Sequence, residues 1–171
     1  MLELAKITAR LKGGAYDNAL IIKAEWKKEE CTPNKVPDIV KETSKYLICK
    51  ACIGEASLTT RMFLTGKATE AEADIPSRLN EDKPWRSFNR DEVISFVSEV
   101  GDTNPIHQTQ KPIVPGMMLM NYIKNELPAN TSRIELSFRQ AVYAGDKLFL
   151  KESEGIILLY GRNIFIKGKY E

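Results

Sequence analysis

Histidine is almost missing: the 171-residue chain has one, His107. Imidazole chemistry near neutral pH therefore has a single address. Cysteine is scarce too, with Cys31, Cys49 and Cys52. An odd count without framework spacing points to reduced thiols rather than a disulfide scaffold. "CKAC" has the form C-x-x-C but lies in the strand-like run "YLICKACIG", where residues three apart face opposite ways. No second pair completes a zinc site. Buried strand cysteines are expected, with no metal and no cofactor. Charge of one sign is missing as well. The 25 Lys and Arg are scattered among 23 Asp and Glu, for a net charge of +2. That argues against nucleic-acid or anionic-membrane partners, which need concentrated positive charge. Long apolar runs are absent, and "GIILLY" is far too short to cross a bilayer. The opening "MLELAKITARLKGG" lacks the basic start and apolar stretch of a secretion signal. These absences lead to the expectation of a soluble, cytoplasmic protein.

What is present is a substantial core. Apolar residues are 43% of the chain, enough for one generous domain or two small ones. "FNRDEVISFVSEVG", residues 88 to 101, predicts a helix. Asn89 suits the N-cap, Glu92 completes a capping box, and Phe88 and Val93 take the staple positions. Val93, Phe96, Val97 and Val100 share one face, and Gly101 follows where a left-handed residue belongs. A second helix is expected from Pro115 or Gly116 to just before Pro128. Its apolar residues, from "MMLM" to Leu127, cover most of the circumference, so it should be buried.

The rest reads as strands. Ile134, Leu136 and Phe138 alternate, a turn falls at Gly145-Asp146, and Leu148 and Leu150 resume the pattern. "GIILLYGRNIFIKGKY" predicts a hairpin turning at Gly161 to Asn163. "KITARLKGGAYDNALIIK" can be laid on "RIELSFRQAVYAGDKLFLK", which puts Ile7, Ala9 and Leu11 on strand positions and matches "LIIK" to "LFLK". "MFLTGK" (62 to 67) resembles "IFIKGK" (164 to 169). The pattern fits an internal duplication of strands, and equally two unrelated amphipathic strand pairs. "MLELAKITARL" also fits a helical face at Leu4, Ile7 and Leu11, while nothing before residue 76 resembles the buried helix. Residues 71 to 84, polar and with two prolines, suggest a linker.

The lone histidine sits in "VGDTNPIHQTQKPIVPG". Asx side chains bond their own backbone and Pro105 fixes φ, so the stretch is a rigid turn. It can hold the Asp102 carboxylate and the His107 imidazole near one point, as positioned acid–base chemistry requires. The helix start just beyond offers free N–H groups to an oxygen that gains negative charge. The bland alternative is an ordinary turn with a hydrogen-bonding histidine.

"SEVGDTNPIH" resembles the hydratase motif of the MaoC-like (R)-specific enoyl-CoA hydratases, G-D-x-N-P-[hydrophobic]-H, with Gly101, Asp102, Asn104, Pro105 and His107 in the fixed positions. "FRQAVYAGDKL" (138 to 148) is similar to that family's F-x-x-P-V-x-x-G-D-x-L. The resemblance covers about residues 84 to 150. It implies an α+β hot-dog fold, a curved antiparallel sheet wrapped around a central apolar helix. It divides the chain into residues 1–76, a β-rich segment read as a reduced hot-dog half, and 77–171, the domain with the motif. It implies Asp102 and His107 as a catalytic pair, the Gly116 N–H on the thioester carbonyl, Asn104 holding the loop, and Pro115 and Met117 beside the substrate. The reaction would be reversible hydration of a trans-2-enoyl thioester, a hydro-lyase activity on acyl-CoA or acyl carrier protein substrates. Homodimers or higher oligomers would be usual for such a fold.

Two features depart from the family. The segment between His107 and the helix is short, and Pro115 stands where P-I-x-H-G would place a histidine. "H-QTQK-P-I-V-P-G" has instead the length of the β-hydroxyacyl carrier-protein dehydratases, whose helical acidic residue falls on Asn121 here. A hot-dog thioesterase and a non-catalytic acyl-thioester-binding module remain as alternative functions.

Overall fold

The computed structural model describes residues 1–14, 16–64 and 83–171. Eight antiparallel strands form one sheet: β1 (Leu20–Lys28), β2 (Asp38–Glu42), β3 (Tyr46–Cys52), β4 (Ala56–Phe63), β5 (Arg133–Phe138), β6 (Phe149–Ser153), β7 (Ile156–Tyr160) and β8 (Ile164–Tyr170). Their spatial order is β2-β3-β4-β1-β5-β8-β7-β6. Three α-helices accompany them: α1 (Leu2–Thr8), α2 (Arg90–Val100) and α3 (Gly116–Glu126).

The local signals of α2 act as expected. The Asn89 side chain accepts from the Glu92 N–H at 2.9 Å, and the Glu92 carboxylate accepts from the Asn89 N–H at 2.8 Å. Gly101 ends the helix at φ 74°, a left-handed conformation that glycine adopts without steric cost. The α3 helix begins at Gly116 and ends before Pro128. Met117, Met118, Leu119, Met120 and Ile123 are all buried along it. They share one core with Ala24 and Trp26 of β1, Leu58 of β4, Ile134 and Leu136 of β5, and residues of β7 and β8.

The central seam pairs β1 with β5, for example Ala24 with Leu136 and Trp26 with Ile134. Those four residues face the core. The alternate positions face outward and carry charge. Arg133 meets Glu25 at 2.6 Å, and Lys23 meets Glu135 at 3.0 Å. Period-two alternation thus builds a dry face and an ion-paired face from the same strands. The C-terminal hairpin β7–β8 turns where the sequence predicts.

Two expectations need correction. Ile7, Ala9 and Leu11 lie on no strand: Ile7 belongs to α1, where Leu4, Ala5, Ile7 and Thr8 are buried, and Ala9 and Leu11 follow it. The helical face at Leu4 and Ile7 is the periodicity that folding selected, because it buries those side chains against the core. The first segment therefore does have a helix ahead of its strands. Second, "LIIK" opens β1, whose counterpart in the strand order is β5, not the β6 strand that begins at the Phe149 of "LFLK". The match of "MFLTGK" to "IFIKGK" sets β4 against β8, which do hold corresponding places; residues 65–67 lie outside the described residues. The expected turn at Gly145–Asp146 forms, with the Asp146 carboxylate accepting from the Tyr143 N–H at 2.9 Å, and the strands on either side of it, β5 and β6, do not pair with each other. The chain between them pairs with the approach to α3 instead, Val114 N–H to the Val142 carbonyl at 2.8 Å and Ala144 N–H to the Pro112 carbonyl at 2.9 Å. The 76/77 boundary and residues 71–82 of the expected linker lie outside the described residues.

Candidate active site

The end of α2 positions Asp102. Once Gly101 turns left-handed, the Asp102 N–H folds back to the Val97 carbonyl at 2.9 Å. Its side chain then accepts from the Asn104 N–H at 2.9 Å, an Asx turn. Asn104 repeats the device, accepting from the Ile106 N–H at 3.3 Å and opening a short 3-10 turn, Pro105–His107. Pro105 at its start has no N–H to leave unpaired. Four consecutive local choices thus deliver His107 to a fixed place.

The His107 side chain is 8% exposed. Its Nδ1 lies 2.6 Å from the Ile113 carbonyl, which can only accept. Nδ1 therefore carries the proton, and Nε2 of the neutral ring presents a lone pair. That lone pair faces the Asp102 carboxylate, with Nε2 to Oδ2 at 3.7 Å. Burial pushes the His107 pKa below its ordinary value; the Asp102 charge and the Ile113 carbonyl pull the other way but do not prevail. The neutral base is the resting form at neutral pH.

Ile113 has a second duty. Its N–H donates to the Ile106 carbonyl at 3.1 Å and closes the short "QTQK" connection into a compact loop. That connection leads straight into α3. The first intrahelical bond there runs from the Leu119 N–H to the Pro115 carbonyl at 3.1 Å, so the Gly116 N–H lies ahead of it. A Cβ on Gly116 would meet the Phe138 ring at 3.3 Å and Ile21 at 3.4 Å, a tight fit that leaves little room beside the helix start.

Asp102, Asn104, His107, Pro115, Gly116 and Met117 all line one cavity of about 400 Å³. The structure brings the six sequence-predicted residues together. Its wall is mainly apolar, with Ile21, Phe96, Leu119 and Phe138 among the contributors. Much of it comes from the first segment, which composition and motifs left unassigned: Ala5 and Thr8 of α1, then Leu11, Lys12 and Tyr16. The same segment holds the loop directly. The Asn18 N–H donates to Asn104 Oδ1 at 3.1 Å, and Asn104 Nδ2 donates to the Ala19 carbonyl at 3.0 Å. Asn18 does so at φ 64°, a conformation asparagine tolerates better than most residues. The "YDN" shortly after two glycines is the available signal, a turn rather than a strand continuation. Among the described residues no three metal-ligating side chains gather, and no helix is long and apolar enough to cross a membrane.

No protein-family model and no curated protein sequence matches the chain. Solved structures do. HtdX of Mycobacterium tuberculosis superposes with a TM-score of 0.57 at 12% identity, over 91% of this chain and 77% of that one. A MaoC-like dehydratase from Phytophthora capsici gives 0.56 at 12% identity, over 94% and 70%. The peroxisomal multifunctional enzyme type 2 of Drosophila melanogaster gives 0.50 at 14% identity, over 88% of this chain and 36% of that one. Together with the strand order and the buried α3, these likenesses establish an α+β hot-dog fold.

Proposed function

We propose that this protein adds water reversibly to trans-2-enoyl thioesters, and in the other direction dehydrates 3-hydroxyacyl thioesters. One observation carries the reading: Nε2 of a buried neutral His107 faces the Asp102 carboxylate at 3.7 Å, inside an apolar cavity that also holds the start of α3. An oxygen can sit within hydrogen-bond reach of both groups. His107 Nε2 takes a proton from water as the oxygen bonds to the β-carbon. Asp102 holds the water and steadies the imidazolium. Charge moves onto the thioester oxygen, where the Gly116 N–H and the helix dipole stabilise it. The imidazolium then returns its proton to the α-carbon. One water is consumed, its oxygen on one carbon and a proton on the next. Asn104 positions the loop; Pro115 and Met117 shape the wall beside the reacting carbons.

The substrate is an acyl thioester of CoA or of an acyl carrier protein, and the MaoC-like dehydratase among the structural neighbours supports the class by its name. Residues 1–76 and 77–171 act as two halves of a double hot-dog, the first reduced, and association through the terminal strands β2 and β6 belongs to the same reading.

Loss of the conjugated-thioester absorbance on adding the protein to crotonyl-CoA, a medium-chain enoyl-CoA and their carrier-protein equivalents tests this. Turnover that disappears in folded Asp102→Asn and His107→Ala variants upholds it. Release of free thiol from saturated acyl-CoA without hydration would replace it with a thioesterase. Binding without turnover on any carrier would leave a binding module.

A further inference from the structure

The three cysteines do not behave alike. Cys49 is buried, and its sulfur shares a hydrogen bond with the Thr60 hydroxyl at 3.1 Å. Cys52, three residues on, points to a different neighbourhood. Cys31 lies in the connection after β1, and that connection is laced to the end of β3 and its turn. The Glu29 N–H donates to the Glu55 carbonyl at 3.1 Å, Cys31 N–H to the Gly54 carbonyl at 2.8 Å, and Asn34 N–H to the Cys52 carbonyl at 3.2 Å. Asn34 Oδ1 accepts from the Cys52 N–H at 2.9 Å, and its Nδ2 donates to the Lys50 carbonyl at 3.0 Å. With both backbones held, Cys31 lies beside Cys52: the Ala56 carbonyl that the Cys31 sulfur meets also accepts from the N–H of Ile53, the residue after Cys52, at 3.1 Å. The Cys31 thiol donates to that carbonyl at 3.3 Å. Cys52 is buried, while Cys31 is half-buried beside a shallow cleft lined by Thr32, Pro33 and Gly54.

We propose that Cys31 and Cys52 are a redox-modifiable pair that closes to a disulfide when a small-molecule disulfide such as oxidised glutathione reaches Cys31. The adjacent "CKAC" pair is not the reactive one, because Cys49 and Cys52 serve different neighbours. The chemistry balances in two exchanges. The Cys31 thiolate attacks one sulfur of the oxidant, giving a mixed disulfide and releasing one glutathione thiolate. Cys52 then loses its proton to solvent, attacks the Cys31 sulfur and expels the second glutathione thiolate. The protein loses two hydrogens and the oxidant becomes two thiols. Burial and the neighbouring Cys31 push the Cys52 thiol up to about 11. Ring closure is therefore the slow exchange, and it quickens as pH rises.

The test treats the whole chain with excess oxidised glutathione at mildly alkaline pH, then alkylates and measures intact and non-reduced peptide masses. We expect alkylatable thiols to fall from three to one, a Cys31–Cys52 linked peptide, and alkylation retained on Cys49. Cys52→Ser should stop at one glutathione adduct on Cys31, and Cys49→Ser should behave as the natural chain. A persistent adduct on Cys31 in the natural chain, no reaction at all, or a link through Cys49 would overturn the pairing. None of these outcomes depends on whether the protein hydrates thioesters.

Discussion

From the β1–β5 seam outward, the first half of the sheet runs β1, β4, β3, β2 and the second β5, β8, β7, β6. Each half is preceded by a helix, α1 in one and α3 in the other. The helices differ. α3 has 11 residues and buries five apolar side chains, whereas α1 has 7 and buries three apolar residues and Thr8. Only the second half has the capped α2 and the loop that α2 ends in. The first half instead lends α1, Leu11, Lys12, Tyr16 and Ile21 to the cavity wall, and grips the loop through Asn18 and Ala19. Equivalent topology has been put to different use: one half holds the titratable groups, the other encloses them. A shared sheet order constrains strands, because every backbone group needs a partner there. It places much weaker constraints on the loops and helices ahead of it.

The sharpest break in that comparison is chemical. His107→Ala or Asp102→Asn should lower kcat/KM for an enoyl thioester by about 10²–10⁴-fold, the usual worth of a positioned acid–base group. Thr8→Ala, on the cavity wall of the first half, should change it far less, because its hydroxyl is spent on the Leu4 carbonyl at 2.9 Å. Steady-state kinetics on folded variants separates the two. Next come the helices. Ile123→Ala in α3 should cost about 3–5 kcal/mol by chemical denaturation, and Leu4→Ala in α1 nearer 2, because a short helix can relax into the space left. Equal losses would show that α1 is as rigidly packed as α3.

Asn104→Ala cuts the loop's bonds to Asn18 and Ala19 of the first half. We expect about a tenfold fall in kcat with little change in KM, since a misplaced base costs transition-state contacts more than binding. A purely KM effect would make Asn104 a substrate contact instead. The smallest effect is a titration. With one histidine in the chain, its ring protons give a single set of NMR signals to follow. Burial disfavours the imidazolium, so the midpoint should lie below the ordinary 6.5. The unfolded chain then binds the proton first as pH drops, so stability is full above 6.5 and declines as pH falls through the window beneath it. Asp102→Asn removes a charge that favours the imidazolium and should move the midpoint lower still.

Much of the second half is legible in the sequence. The capping box, the staple and Gly101 are local signals whose partners lie within a few residues, so α2 can be read residue by residue. The turn from Asp102 to His107 is built the same way, from Asx turns and a proline. The first half is less legible. "KITARL" suits a strand or a helical face, and short amphipathic runs are decided by what they can bury against. The grip of Asn18 on Asn104 spans 86 positions and leaves no local trace. Likewise "CKAC" suggests a pair by proximity, while a lattice of backbone bonds brings Cys31 beside the end of β3 that holds Cys52.

The sequence alone determined the α2 helix and the rigid turn holding Asp102 and His107, because each rests on contacts between near neighbours, and it showed the buried character of α3 because apolar residues cover most of that helix's circumference. Only the tertiary structure decided which face of residues 2–8 is buried, that β1 pairs with β5, and that the first half walls the cavity. Those outcomes depend on long-range burial. The free energy of removing apolar surface from water belongs to the assembled core, and no short stretch of chain contains it.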